Sequence, residues 1–336
     1  MKIWQIPSFG IDSLQFVERP APQPGPGEVL LNVRAVSFNY RDLMMVKGLY
    51  NPKLKLPRIP CSDGAGEVAA IGEGVRRFKI GDRVAGIFMQ NWLDGPATAA
   101  KIKGALGGDI DGMLAEFVVL KETGLVPVPA HLSFEEAATL PCAAVTAWNG
   151  LAAGQLKPGS TVLVQGTGGV SIFALQFARM MGVRVLGISG SAEKLARAHA
   201  MGLSAALNYK ENPEWDRWAI DQTGGDGVDL VIEVGGVGTL PRSLRALRIG
   251  GTIAQIGVLT GAAEPFPVPL VLHKQAHIRG IYVGSRSDFE EMNAAIALAE
   301  LKPVLESVPW TQSREVLHRM ENASHFGKVV VTINQG

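Results

Sequence analysis

The sequence predicts an α/β protein: a doubly wound parallel sheet with helices on its faces, preceded by a half of short strands that closes into a β-barrel-like domain. Three observations predict it. The apolar run at residues 161 to 165 breaks into Gly166, Thr167, Gly168 and Gly169, then resumes at helical spacing through Val170, Ala174, Leu175, Phe177, Ala178 and Met181. After that turn, strand and helix patterns alternate. Before residue 124, short strands follow one another with proline and glycine between them and without the helices a parallel sheet needs.

In chain order, residues 28 to 37 form the first long strand, after a Pro/Gly-rich connection over 20 to 27. Residues 64 to 72 and 81 to 87 repeat the style of a strand bounded by glycine. Residues 89 to 112 lack periodicity and read as a long loop. Pro127 and Pro129 read as a stiff linker, and Ser133 followed by Glu136 is a capping box that opens a helix. A second helix, about 144 to 153, leads to the strand before the glycines. Strands then follow at 183 to 188, 204 to 208, 228 to 234, 251 to 257 and 278 to 283, with helices at 192 to 201 and 214 to 222. Helices at 288 to 300 and 312 to 322 and a last strand at 328 to 333 make a tail that returns to the first half. The division read from these patterns is 1–123 with the tail 285–336, and 124–284.

Composition narrows the function. A chain of 336 residues, 47% apolar and 19% charged, has room for two cores and suits a compact soluble protein. A formal net charge of +1 points to neither nucleic acid nor an anionic membrane as partner. The sequence has no apolar run of about 18 residues to span a bilayer. The opening residues lack the apolar core of a cleavable signal, so a cytoplasmic location is expected. Cys61 and Cys142 are the only cysteines, too few for a disulfide framework or a four-cysteine zinc site.

Glycines at a strand-to-helix turn let the chain reverse and let a phosphate approach the backbone. The following helix offers free N–H groups and the positive end of its dipole. Gly166, Thr167, Gly168, Gly169 and Val170 therefore read as the pyrophosphate-binding turn of a dinucleotide fold. Ser171 replaces the third fingerprint glycine and is small enough for the helix–strand packing that position serves. In such folds an acid about 20 residues past the first glycine holds the ribose hydroxyls of NAD. Here the second strand ends in Ser189, Gly190 and Ser191, with no acid before Glu193, and Ser191 and Lys194 can reach a 2′-phosphate. Charge-assisted hydrogen bonds there, about 1.5 to 3 kcal/mol each, favour NADP(H) over NAD(H). The alternative for Lys194 is a solvated helix cation.

This order of parts resembles the medium-chain dehydrogenase/reductase superfamily over essentially the whole chain. The residues that carry the resemblance are Gly27-Glu28-Val29, Asn39 to Asp42, Gly64 to Val68, Gly81 to Val84, Glu136 to Pro141, Gly166 to Val170 and Gly327 to Val330. It implies a GroES-like catalytic domain, a Rossmann domain for the nicotinamide dinucleotide, a cleft between them, and a homodimer or homotetramer. Where the zinc alcohol dehydrogenases of that superfamily hold catalytic zinc, the first cysteine falls on Asn39 and the His-Glu pair on Ser62 and Asp63. Only Cys142 falls on a ligand position. One thiolate and a distant carboxylate do not complete a three-ligand site, so no metal is expected. The chain then looks like the zinc-free quinone oxidoreductases and related enone reductases. That branch implies hydride transfer to a quinone or an α,β-unsaturated carbonyl, with hydrogen bonds stabilising the oxyanion that develops. The alternatives are an NADP-dependent alcohol or aldehyde dehydrogenase, and an NADPH-binding protein without turnover.

The same resemblance suggests residue roles. Asn39 matches a position that faces the nicotinamide, and its amide can donate and accept; otherwise it is a strand-end turn residue. Tyr40 is placed to orient or protonate the oxyanion or is structural, and Tyr50 is a substrate-pocket wall or a core aromatic. Asp42 and Asp63 pair with Arg41 or a lysine as scaffold. Thr146 matches a position behind the nicotinamide, four residues after Cys142 on one helix. Tyr209 packs near the adenosine, and Gly235, Gly257, Val258 and Val283 sit at strand ends where such folds bind cofactor. Lys328 matches a residue near the cofactor or is a solvated strand-end lysine.

Overall fold

A two-stranded ribbon, β1 (Lys2–Gln5) antiparallel to β2 (Gln15–Glu18), begins the computed structural model, which describes residues 1–261, 266 and 268–333. Next comes β3 (Glu28–Phe38), buried along most of its length. The helix α1 (Tyr40–Val46) follows at once, in a region predicted to hold strands alone. Seven residues are too few for an apolar period to show in the sequence. Its start is set locally, by the Asn39 N–H donating to the Asp42 carboxylate at 2.8 Å. The strands β4 (Asp63–Ile71), β5 (Arg83–Gly86), β6 (Phe117–Lys121) and β7 (Leu125–Pro127) complete this stretch, with β3 pairing β4 and β6, β4 pairing β5, and β5 pairing β7, all antiparallel.

The helix α2 (Phe134–Ala138) opens on the predicted capping box. The Glu136 N–H donates to Ser133 Oγ at 3.1 Å, and the Ser133 N–H donates to the Glu136 carboxylate at 2.7 Å. A π-helical turn, Leu140–Ala144, then runs into α3 (Val145–Ala153). Cys142 and Thr146 thus lie on differently wound stretches and not on one regular helix; such turns recur at functional sites.

The chain divides into two units, Met1–Val145 with Val283–Gly336, and Thr146–Tyr282. The first boundary therefore falls after Val145 rather than after 123. Pro127 is a sheet residue and not a linker: it ends β7, which pairs with β5. The capping-box helix goes with the first unit.

The second unit alternates strand and helix: β8 (Thr161–Gln165), α4 (Gly169–Met180), β9 (Arg184–Ser189), α5 (Ala192–Ala200), β10 (Ala205–Asn208), α6 (Trp215–Asp221), β11 (Val228–Glu233), α7 (Leu240–Ala246), β12 (Leu247–Gln255), α8 (Val268–Lys274) and β13 (His277–Gly280). The strands are parallel, in the order β10-β9-β8-β11-β12-β13. The order reverses beside β8, so the glycine turn leaves the sheet at its topological switch point, where such sheets bind ligands. Two short helices, α7 and α8, were not legible as periods. The last strand is shorter than predicted, and all its residues are exposed at the sheet edge. Val283, expected to end that strand, lies beyond it, with φ 59°, in the first unit.

The tail returns as predicted. The helix α9 (Arg286–Leu298) is capped by Ser285 and Asp288, and β14 (Leu305–Pro309), α10 (Ser313–Glu321) and β15 (Lys328–Thr332) follow. β15 pairs antiparallel with β3 and parallel with β14, giving the sheet order β14-β15-β3-β4-β5-β7. The unit's core gathers Ile3, Leu31, Val36, Leu43, Leu106, Met113 and Val331. No helix among the described residues is long and apolar enough to cross a membrane.

Candidate active site

The glycines of the second unit separate into two kinds by what a side chain would meet. At Gly166, where φ is 71°, and at Gly168, an added Cβ has no neighbouring atom within 4 Å. At Gly257 it would lie 1.9 Å from the Val234 carbonyl oxygen, and at Gly235 it would lie 2.2 Å from Thr239 Oγ1. Gly235 and Gly257 are therefore required by packing within the protein, whereas Gly166 and Gly168 line open space. The Gly166 N–H donates to the Ile188 carbonyl at 2.6 Å, tying the turn to β9. Gly168 is the N-cap of α4, and Gly169 begins that helix. The cradle thus combines room for a phosphate with the N-terminal N–H groups of a twelve-residue helix.

Ser171 does more than fit. Its buried hydroxyl donates to the Gln165 carbonyl at 2.6 Å, fastening the first turn of α4 to the end of β8. Gln165 continues the network. Its Nε2 donates to the Glu233 carboxylate and to Ser243 Oγ, each at 2.8 Å, and its Oε1 accepts from the Val234 and Gly235 N–H groups at 3.2 Å. Glu233 is fully buried and also accepts from the Gly235 N–H at 2.8 Å, the Gly236 N–H at 2.9 Å, Thr239 Oγ1 at 2.6 Å and Ser243 Oγ. One carboxylate therefore organises the loop after β11 and, through Gln165, the glycine turn after β8. Neither Glu233 nor Gln165 was singled out from the sequence. The signal available was an acid and an amide ending adjacent apolar strands, where a polar residue needs a partner.

At the end of β9, Ser191 is the N-cap of α5, its Oγ accepting from the Lys194 N–H at 3.3 Å. Ser189 is buried, and Val258 and Tyr209 are exposed. A Cβ on Gly190 would meet Lys210 Cε at 2.9 Å and Tyr209 Oη at 2.9 Å, so both side chains lie over this glycine. Lys210 was missed in the sequence, although it directly follows a residue assigned to the adenosine. Thr146, in α3, is buried.

The first unit carries its own buried polar cluster. Lys328 is 3% exposed, which overturns the reading of a solvated lysine. Its Nζ donates to the Phe38 carbonyl at 2.7 Å and to Asn39 Oδ1, and lies 4.0 Å from the Asp63 carboxylate. Asn39 is the N-cap of α1 and not a simple strand-end turn residue. Its Nδ2 reaches Ser62 Oγ at 3.5 Å, and Ser62 donates to Asp63 Oδ1 at 2.7 Å. The other Asp63 oxygen accepts from the Cys142 N–H at 3.0 Å, in the π-helical turn. Asp42 pairs with Arg41 at 3.4 Å. Burial pushes the Asp42 carboxyl up to about 6, against the pull of Arg41. Burial also raises Asp63, with Lys328 opposing. The Cys142 thiol is raised by burial and by Asp63, and Cys61 likewise by burial and by Asp42, so neither is an activated nucleophile.

Tyr40 and Tyr50 are exposed, with the Arg41 guanidinium 5.7 Å from the Tyr50 ring centre and 4.9 Å from that of Phe88. Trp92, in the stretch read as a loop, is buried, and its ring N–H donates to the Gly95 carbonyl at 2.8 Å. Among the described residues no group of three or more His, Cys, Asp and Glu side chains could hold a metal ion.

Known proteins agree with this architecture. Residues 25–130 match the alcohol dehydrogenase GroES-like domain, and residues 169–298 match the zinc-binding dehydrogenase domain. A zinc-type alcohol dehydrogenase-like protein of Schizosaccharomyces pombe is 46% identical over 334 residues, covering 97% of this chain and 96% of its own. An acryloyl-coenzyme A reductase of Metallosphaera sedula is 31% identical, covering 93% and 94%. The crystal structure of an NAD-dependent alcohol dehydrogenase superposes with a TM-score of 0.91 at 33% identity, covering 99% and 100%. With a GroES-like first unit, a parallel sheet in the dinucleotide-binding order and an open glycine cradle at its switch point, the chain is an oxidoreductase of the medium-chain dehydrogenase/reductase superfamily, whose members bind a nicotinamide cofactor.

Proposed function

We propose that the chain is a zinc-independent, NADP(H)-dependent oxidoreductase that delivers hydride to an α,β-unsaturated carbonyl or a quinone. The observation that carries this reading is the ammonium of Lys328 among Asn39, Phe38 and Asp63. A cation already occupies the acceptors of this cluster, and two of the side chains there, an amide and a hydroxyl, are poor zinc donors. The residues do not fit a catalytic zinc ion, although the matching domain carries zinc in its description.

Without a Lewis acid the acceptor has to be polarised already, as a conjugated carbonyl or a quinone is. The Metallosphaera sedula relative, by its name, reduces a conjugated thioester. When bound, the nicotinamide supplies or takes a hydride. The protein's share is to hold the pyrophosphate on Gly166, Thr167, Gly168, Gly169 and Val170, and to place Ser191, Lys194, Tyr209 and Lys210, whose side chain lies over Gly190, about a 2′-phosphate. Asn39 Nδ2 donates to the acceptor oxygen as it becomes an enolate or quinol oxyanion, and solvent returns the proton to the product. Tyr50, exposed beside Arg41, forms part of the acceptor pocket wall.

The test is a screen of quinones, enals, enones, ketones and alcohols with NADPH and NADH, with a zinc assay on the same sample. The expected result is NADPH consumption with enones or quinones, unaffected by chelator, and a preference over NADH on the order of tenfold or more. Activity lost to chelator and restored by zinc would favour the alcohol dehydrogenase reading that the relatives' names suggest.

A further inference from the structure

In the second unit, residues of α6, α7 and α8 line a cavity of about 510 Å³. Its place in the sheet is fixed by Lys274, at the end of α8. The Lys274 Nζ donates at 2.6 Å to the carbonyl of Leu247, the first residue of β12. Parallel strands all begin at one edge of their sheet. The cavity therefore lies at the amino ends of the strands, opposite the glycine turn that follows β8.

The lining is charged, and its charges do not balance. Asp216, 3% exposed, accepts from Arg242 Nη1 at 2.7 Å and from Arg245 Nε at 2.5 Å, the two arginines standing one turn apart on α7. Arg217 pairs with Glu214 at 3.1 Å. Lys274 bonds a backbone carbonyl and pairs with no carboxylate among the described residues. Four cations thus share two carboxylates, and two positive charges are left over. Donors are in surplus as well: each guanidinium carries five N–H groups, while Asp216 has two oxygens for both arginines. Burial lowers the Lys274 ammonium, as expected of a cation that has lost water without gaining a counter-charge.

The geometry points to a second anion-binding site in this cavity, for a phosphate monoester. Such a group carries about −1.5 to −2 charge near neutral pH and three acceptor oxygens, which matches the surplus of charge and of donors. A carboxylate would meet only half of it. The forked guanidiniums of Arg242 and Arg245 suit phosphate oxygens, and Lys274 adds a point charge. Ile220, also on the wall, gives the carbon part of an ester an apolar surface. The volume falls within the roughly 300 to 1,000 Å³ of small-molecule sites, so the cavity has room for more than the phosphate.

The experiment is calorimetric titration of the full chain with phenyl phosphate, at constant ionic strength set with sodium chloride and with saturating NADPH to occupy the glycine turn. One equivalent is expected to bind, and Lys274→Met should weaken it on the order of tenfold or more. Because Lys274→Met also removes the bond to Leu247, Arg217→Gln, at an exposed position, provides a variant that leaves the fold alone; a smaller loss, on the order of threefold, is expected there. Both variants should keep the KM for NADPH within about twofold. Absence of binding, or equal binding to the parent chain and both variants, would overturn the site. So would binding seen only without NADPH, which would place the ligand on the glycine turn. Benzoate bound as tightly as phenyl phosphate would refute the preference for a dianion, and inorganic phosphate bound as tightly would refute the ester.

Discussion

In the first unit two carboxylates, Asp42 and Asp63, are buried beside two cations, Arg41 and Lys328, whereas in the second the buried Glu233 carboxylate is held by neutral donors from Gln165, Gly235, Gly236, Thr239 and Ser243. The chemical jobs differ accordingly. Glu233 shapes backbone: its partners are the loop after β11 and the glutamine that ends β8, so its effect is to fix where the glycine turn lies. The first cluster aims side chains, and its opposed charges give each hydrogen bond a direction. A site held by neutral donors should respond to lost geometry, and one held by charges to pH and charge deletion.

The largest expected effect breaks the neutral network. Glu233→Ala strips the acceptor from several buried donors at once, each costing about 1 to 3 kcal/mol, so a loss of at least about 4 kcal/mol is expected in urea unfolding. Glu233→Gln keeps one carbonyl acceptor and should cost on the order of half as much. A loss below about 1 kcal/mol for Glu233→Ala would mean that the loop is held by other contacts.

The next effect sharpens the charged side of the comparison. An acid whose folded value lies above its unfolded value is easier to protonate in the folded state, so ionising it costs stability. With Asp42 near 6 against an ordinary value of 3.8, stability should fall as pH rises from about 4 through 6. Asp42→Asn keeps an acceptor for the Asn39 N–H and removes that dependence, a difference on the order of 3 kcal/mol above pH 6. Urea midpoints for both proteins between pH 4 and 7.5 check it; parallel curves would show that Asp42 does not titrate there. The smallest effect is local: Ser171→Ala removes one buried hydrogen bond to Gln165 and should cost about 1 kcal/mol in the same assay.

Legibility followed the range of the interactions. The turn at Gly166, the capping box at Ser133 and Glu136, and the alternation after residue 160 depend on neighbours within a few positions, and the structure shows each of them. The helix α1 was missed because it spans two turns, and β7 because Pro127 reads as punctuation, although an edge position tolerates proline. Lys328 read equally well as a cofactor neighbour or as a solvated lysine. Its partners, Phe38 and Asn39, lie near the other end of the chain and are brought to it by the pairing of β15 with β3.

By itself the sequence determined that a strand must turn on glycine into a helix and that strands and helices alternate after that turn. Those statements follow from residue type and local spacing. Which glycines are open and which are filled by backbone was decided only by the tertiary structure. So was the way the Asn39 amide faces, and the burial of a cation beside Asp63. Hydrogen-bond direction and desolvation depend on groups far apart in the chain, and only folding brings those groups within 3 to 4 Å of one another.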